Sequence, residues 1–216
     1  MDEKRKAGEI LSLLKKHYPH AAYYLHFSNP AQLVIATILS AQCRDEAVNA
    51  CTAKLFKKYK TIKDFADVLH SELEKDLSSI TFFKNKAKAI KGACRIIDKA
   101  YGGKVPADMD KLIALPGVGR KTANAILQNA FNKIEGVIVD THVIRLSQRL
   151  GLTKQKNPEK IEKDLMEMFP KSEWKKIPWL MKNHGRAVCT APTPKCNECM
   201  LFKLCPKIGV ERSVYA

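Results

Sequence analysis

Chemistry in this chain concentrates at two places: Lys121, within the run Leu115-Pro116-Gly117-Val118-Gly119-Arg120-Lys121-Thr122-Ala123, and a group of cysteines near the end. Pro116 disfavours a helical continuation through Leu115, while Gly117 and Gly119 can take backbone angles that a Cβ would forbid. The run therefore predicts a tight hairpin between a short helix over Asp110–Ala114 and a second helix that starts near Lys121. Ala123, Ile126, Leu127, Ala130 and Phe131 recur at the spacing of one apolar helical face, so the second helix packs on a core. The bare amides of such a turn and of a helix start suit a phosphate oxygen. An amine held there can attack a carbon centre once it has lost its proton. Two readings stay open on these residues: a clamp on nucleic acid with a nucleophile attached, or a clamp in which Lys121 is one more phosphate contact.

The second place is Cys189-x6-Cys196-x2-Cys199-x5-Cys205, four thiols within 17 residues and sufficient for one metal centre. Zinc sites usually assemble from two close pairs, and here only Cys196 and Cys199 are close. The spacing favours an iron-sulfur cluster. Cys43, Cys51 and Cys94 lie among apolar neighbours and read as small core residues on helical faces.

These groups need a scaffold, and the apolar pattern supplies a helical one. Ile10, Leu11, Leu13, Leu14 and Tyr18 mark a first amphipathic helix. Asn29 and Pro30 open a second, buried helix through Leu33, Val34, Ile35, Ile38 and Leu39. It runs into the polar junction Ser40-Ala41-Gln42-Cys43-Arg44-Asp45, with Asp45 as candidate cap of the next helix. Thr61–Leu77 reads as one or two short helices and Lys84–Tyr101 as a longer one stopped by Gly102. Between them lies Ile80-Thr81-Phe82-Phe83, where the aromatic pair is either a core plug or contains a base-stacking wedge. Gly136–Val139 is too short and solitary to build a sheet and reads as a buried connector. Asp140 caps a helix over Thr141–Leu150, and Asn157-Pro158 opens another. The expected fold class is all-α.

Composition limits the partners. Of the 216 residues, 38 are Lys or Arg and 22 are Asp or Glu, a net charge of +16 that favours a polyanion. No apolar run approaches the ~18 residues of a membrane span and no signal peptide leads the chain, so a soluble intracellular protein is expected. The seven cysteines are odd in number and four of them crowd into the last 28 residues, which points to metal in a reducing compartment.

Taken together, Leu-Pro-Gly-Val-Gly-Arg-Lys-Thr-Ala at 115–123, Val-Asp-Thr-His-Val at 139–143 and the spacing of Cys189, Cys196, Cys199 and Cys205 resemble the endonuclease III family of helix-hairpin-helix base-excision DNA glycosylases. The resemblance spans nearly the whole chain. It implies a DNA glycosylase and abasic-site lyase acting on oxidised pyrimidines. The implied architecture is a six-helix barrel domain, residues 24–132, and a second helical domain from 1–23 and 133–216 that carries a 4Fe-4S cluster, with the hairpin and active site at their cleft. Lys121 then matches the nucleophile that attacks C1′ of the flipped nucleotide, and Asp140 its carboxylate partner. The four cysteines match the cluster ligands. Gln42 matches the residue that fills the vacated hole, Gly117 and Gly119 the phosphate-binding turn, and Val118, Arg120, His142, Lys195 and Phe82 further DNA contacts. The implied partner is double-stranded DNA bearing oxidised pyrimidines or abasic sites, bound by a monomer in the bacterial or archaeal cytoplasm at the nucleoid.

Three positions depart from the family pattern. Phe82 stands where a smaller wedge such as Leu is common, Ile113 replaces an acidic residue seen in some relatives, and the loop Thr190–Lys195 keeps a single cation, Lys195. No base-pocket code is legible, which leaves a mismatch thymine or uracil glycosylase of the same superfamily as an alternative. A non-catalytic DNA-binding module is a further one.

Overall fold

Every regular element in the computed structural model, which describes residues 2–211, is helical. The chain divides into two units, residues 24–133 and the residues up to 23 together with those from 134 onward.

The first unit is built around α2 (Pro30–Ser40), whose residues Leu33–Leu39 are all buried. Its start is fixed as the residue types dictate: the Asn29 side chain accepts from the Gln32 amide at 3.0 Å, and Pro30 occupies the first turn. Helices α3 (Asp45–Lys58), α6 (Phe83–Tyr101) and α8 (Arg120–Ala130) pack against it. The short helices α4 (Ile62–Asp67) and α5 (His70–Asp76) lie on α6. A reciprocal cap between Thr61 and Asp64 starts α4, and Gly102, at φ +58°, ends α6. Helix α7 (Met109–Ile113) approaches α8 through the glycine hairpin.

The second unit contains α1 (Glu3–His17), α9 (Thr141–Arg149), α10 (Pro158–Met168) and α11 (Ile177–Ala187). Its core joins Ile10 and Leu14 of α1 to Val143 and Leu146 of α9, Ile161 and Leu165 of α10, and Leu180 and Met181 of α11. Gly136–Val139 forms a fully buried connector with no strand character, as its length leads one to expect. Val137 and Val139 join that core rather than a sheet.

Two local expectations need correction. Arg44, in extended backbone at ψ 140°, is the residue before α3, so Asp45 is the first helical residue and not its cap. With Glu46 it contributes negative charge to the first turn, where the helix dipole favours it. Cys43 sits in the bend before α3, half-buried, rather than on a helical face; Cys51 and Cys94 are buried as expected.

Candidate nucleic-acid interface and metal centre

The hairpin is a turn closed by the Val118 amide donating to the Leu115 carbonyl at 3.1 Å, with Pro116 and Gly117 at its two central positions and Gly117 at φ +79°. Proline followed by a residue of positive φ is the signature of a type II turn. Leu115 and Val118 are buried and anchor the turn, while Pro116, Gly117 and Gly119 are exposed. A methyl on Gly117 would stand 2.9 Å from the Ala89 Cβ and 3.3 Å from Ile38 Cγ2, so the turn is seated on α6 and α2 too closely for a side chain. Gly119 is different. Its φ of −90° is open to any residue and an added Cβ would meet nothing, so of the two glycines that can take angles forbidden to a Cβ, only Gly117 uses that freedom. Any need for glycine there comes from what approaches it.

Gly119 is the residue before α8 and offers no side-chain cap to that helix. The first-turn amides of an uncapped helix have no intrahelical acceptor and attract anions. Lys121 is the second residue of α8 and is exposed. Arg120 is exposed beside it, whereas Val118 can offer only its main chain.

Gln42 and Phe82 share an unusual backbone: both are non-glycine residues in the left-handed region, at φ +52° and +58°. Holding such residues there costs about 1–3 kcal/mol each and concentrates at functional positions. Both are exposed, Phe82 to 59%, so the aromatic pair is not a core plug. Phe83, the first residue of α6, is the half-buried member.

Asp140 is the cap of α9, with one carboxylate oxygen, Oδ1, accepting from the His142 and Val143 amides at 2.9 Å each. Capping uses that one oxygen, so the second takes no part in it. A helix cap and a chemical role are therefore compatible on this side chain. His142 turns its ring toward Arg145, with Nδ1 3.2 Å from Nη2. Burial pushes the His142 pKa down, against the opposing effect of Asp140. Lys121 belongs to the first unit and Asp140 to the second.

The four C-terminal cysteines line one cavity with Arg149, His184 and Leu146. Among the described residues, no three His, Cys, Asp or Glu side chains converge tightly enough for a single metal ion. Four thiols lining one cavity supply the soft donor set that a metal-thiolate centre needs. Their electrostatics agree: burial pushes the Cys199 thiol up to about 11, with Cys189, Cys205 and Cys196 adding to the rise, so the thiolates need a cationic centre among them.

Residues that spacing did not single out hold these cysteines. Arg149 Nη1 donates to Cys189 Sγ at 3.4 Å and to the Thr190 carbonyl at 2.8 Å, and its Nη2 donates to the Pro192 carbonyl at 3.3 Å. Arg145, one turn earlier on α9, donates to the Cys189 carbonyl through Nε at 3.2 Å and Nη2 at 3.1 Å. His184 is 1% exposed, with Nε2 3.4 Å from Cys199 Sγ and Nδ1 3.0 Å from the Tyr18 hydroxyl. Burial pushes its pKa down to about 4, so the ring is neutral. In a neutral ring one of these two nitrogens donates and the other accepts. The available sequence signals were two arginines four apart on an apolar helix and a histidine flanked by core residues. Lys195, the one cation of the cluster loop, lies 3.9 Å from Glu198 on the surface.

Comparison with known proteins places these features in context. Residues 35–171 match the family model described as HhH-GPD superfamily base excision DNA repair protein. The chain is 51% identical over 204 residues to endonuclease III of Synechocystis sp., covering 94% of this chain and 93% of that one. It is 46% identical to endonuclease III of Bacillus subtilis, covering 87% and 86%. A solved structure of a trapped covalent intermediate between endonuclease III and DNA superposes with a TM-score of 0.91 at 42% identity, covering 96% of this chain and 97% of that one.

Proposed function

The chain belongs to the endonuclease III family of the HhH-GPD superfamily of base excision DNA repair proteins, and from that premise we propose how its residues share the reaction. It is a DNA glycosylase and abasic-site lyase. We propose Lys121 as the nucleophile. Its amine attacks C1′ of a nucleotide turned out of the duplex, the C1′–N bond to the base breaks, and the base departs with the bonding electrons and a proton. The sugar ring opens to an imine with Lys121, a C2′ proton is lost, and the C3′–O bond breaks to cleave the strand on the 3′ side. Water then releases the lysine.

Asp140 is assigned the charge that develops on the sugar. Its second carboxylate oxygen is outside the helix cap, and a fixed anion opposite an oxocarbenium-like centre lowers the barrier. The hairpin at Gly117 and Gly119, with Arg120, grips phosphate, and the Lys121 amine is carried on the first turn that follows it. Gln42 and Phe82 enter the duplex where the nucleotide leaves, with His142 and Lys195 as outer DNA contacts. Oxidised pyrimidines in double-stranded DNA are the proposed substrates, with a single chain sufficient for the reaction. Residues Cys189, Cys196, Cys199 and Cys205 would hold a 4Fe-4S cluster, which when bound supplies a rigid cross-link within the second unit and a one-electron couple. Among the described residues no helix is long and apolar enough to cross a membrane, and the net charge of +16 suits work on DNA.

The observation that carries this reading is an exposed lysine on the first turn of an uncapped helix behind a type II turn, in a chain 42% identical to a protein solved as a covalent DNA intermediate. The test is a pair of single-turnover rates, on thymine-glycol DNA and on abasic DNA, with borohydride trapping alongside. Lys121→Ala should abolish the trapped adduct and strand cleavage while binding survives. Asp140→Asn retains a capping oxygen, so folding should hold while base removal slows about 100-fold or more and abasic cleavage suffers less. A trapped adduct from Lys121→Ala would move the nucleophile elsewhere.

A further inference from the structure

Lys86 is charged, yet it is only 6% exposed, on the first turn of α6. Its ammonium donates to the Leu39 carbonyl at 2.7 Å, and burial pushes its pKa down. Leu39 lies in the last turn of α2, where helix carbonyls lack intrahelical donors and the dipole favours a cation. No side chain of α2 itself answers that carbonyl; Ser40 answers Thr37 instead, at 2.9 Å. The main chain of the same lysine is committed as well, its amide donating to the Phe82 carbonyl at 3.1 Å.

One residue is thus hydrogen-bonded at its backbone to Phe82 and at its side chain to the carbonyl three residues before Gln42. Among the described residues, Phe82 and Gln42 are also two of the four non-glycine residues with positive φ. Strained backbone persists only where surrounding bonds determine it. We propose that Lys86 is a positioning residue that locks the Gln42 turn to the Phe82 turn, so that the two side chains enter a single gap in the DNA as one unit. The proposal rests on the reading that both side chains enter the duplex. Lys86 itself touches no reacting atom.

The experiment uses the full-length holoprotein and a duplex with 2-aminopurine opposite a tetrahydrofuran abasic analogue, so that fluorescence reports how the unpaired base is stacked. Lys86→Met keeps the stem and removes the ammonium; Lys86→Gln keeps a shorter donor. Thermal midpoints and kcat and KM on thymine-glycol duplex are measured for each. Lys86→Met should reduce the fluorescence change at saturating protein by about half or more and lower kcat about tenfold, the scale of a modest misplacement, with KM moving less. Lys86→Gln should fall between that variant and the parent. In a Phe82→Ala background Lys86→Met should add less than about twofold, because the unit is already broken.

If Phe82→Ala and Gln42→Ala reduce the signal while Lys86→Met leaves it and kcat within about twofold, the coupling role is wrong but the wedge reading stands. If Phe82→Ala and Gln42→Ala change neither, the wedge reading is wrong and the proposal falls with it. Full additivity of Lys86→Met with Phe82→Ala, or unfolding of both Lys86 variants, would make Lys86 a plain core strut.

Discussion

Substituting alanine at Gly117 and, separately, at Gly119 tests the hairpin, because the same added methyl meets opposite circumstances. At Gly117 the backbone sits at φ +79°, where an L side chain costs about 1–2 kcal/mol. The methyl would also lie 2.9 Å from the Ala89 Cβ and 3.3 Å from Ile38 Cγ2, on two helices that cannot both withdraw, and overpacking of that kind costs about 1–3 kcal/mol. The lower chain entropy of the unfolded state returns about 0.4–1 kcal/mol. The net loss is about 1–5 kcal/mol, which centres near an 8 °C fall in midpoint for a chain of this size. At Gly119 the φ of −90° and the open space leave only the favourable unfolded-state effect, so stability should hold or rise slightly. Calorimetry reads both. Fluorescence anisotropy then compares affinity for undamaged duplex and for an abasic analogue across a salt series. Both variants should lose affinity by the same factor on the two DNAs, since a turn that grips phosphate does not read the base. A Gly117→Ala protein that melts with the parent would refute the turn geometry. Undiminished binding by Gly119→Ala would refute phosphate approach to the start of α8.

Two further outcomes follow from the cysteine cavity. Cys199→Ser should give a protein that loses its brown colour and its iron and binds DNA more weakly; a colourless, zinc-loaded and fully active parent preparation would contradict the iron-sulfur assignment. Tyr18→Phe removes the hydrogen bond at His184 Nδ1, whose other ring nitrogen faces Cys199, so iron release to a chelator should quicken about tenfold, and an unchanged release rate would show that His184 is merely core.

What could be read from the sequence divides along a physical line. Helix α2 announced its own start because Asn29 and Pro30 act within one turn, and the hairpin was legible because Pro116 and Gly117 act on their own backbone angles. The cysteine spacing was legible for the same reason: the four thiols are neighbours in the chain. Gly119 was only half legible, because residue type reports what a backbone is allowed to do, and only the fold shows that its φ of −90° makes no use of that freedom. Phe82 was ambiguous in the same way, since an aromatic residue reads alike as a plug or as a wedge until its surroundings are known. Lys86 was not singled out at all. It is one lysine among many in a strongly basic chain, and its acceptor lies 47 residues away. His184 was hidden by a larger separation, with its Tyr18 partner 166 residues distant. In both cases a polar side chain is buried where burial must be offset by a hydrogen bond. Local rules therefore identify the groups proposed to grip, attack and ligate, while the contacts that fix their surroundings come from remote parts of the chain. That is why a lysine inside the fold, rather than one more on its surface, is the residue argued to set the wedge.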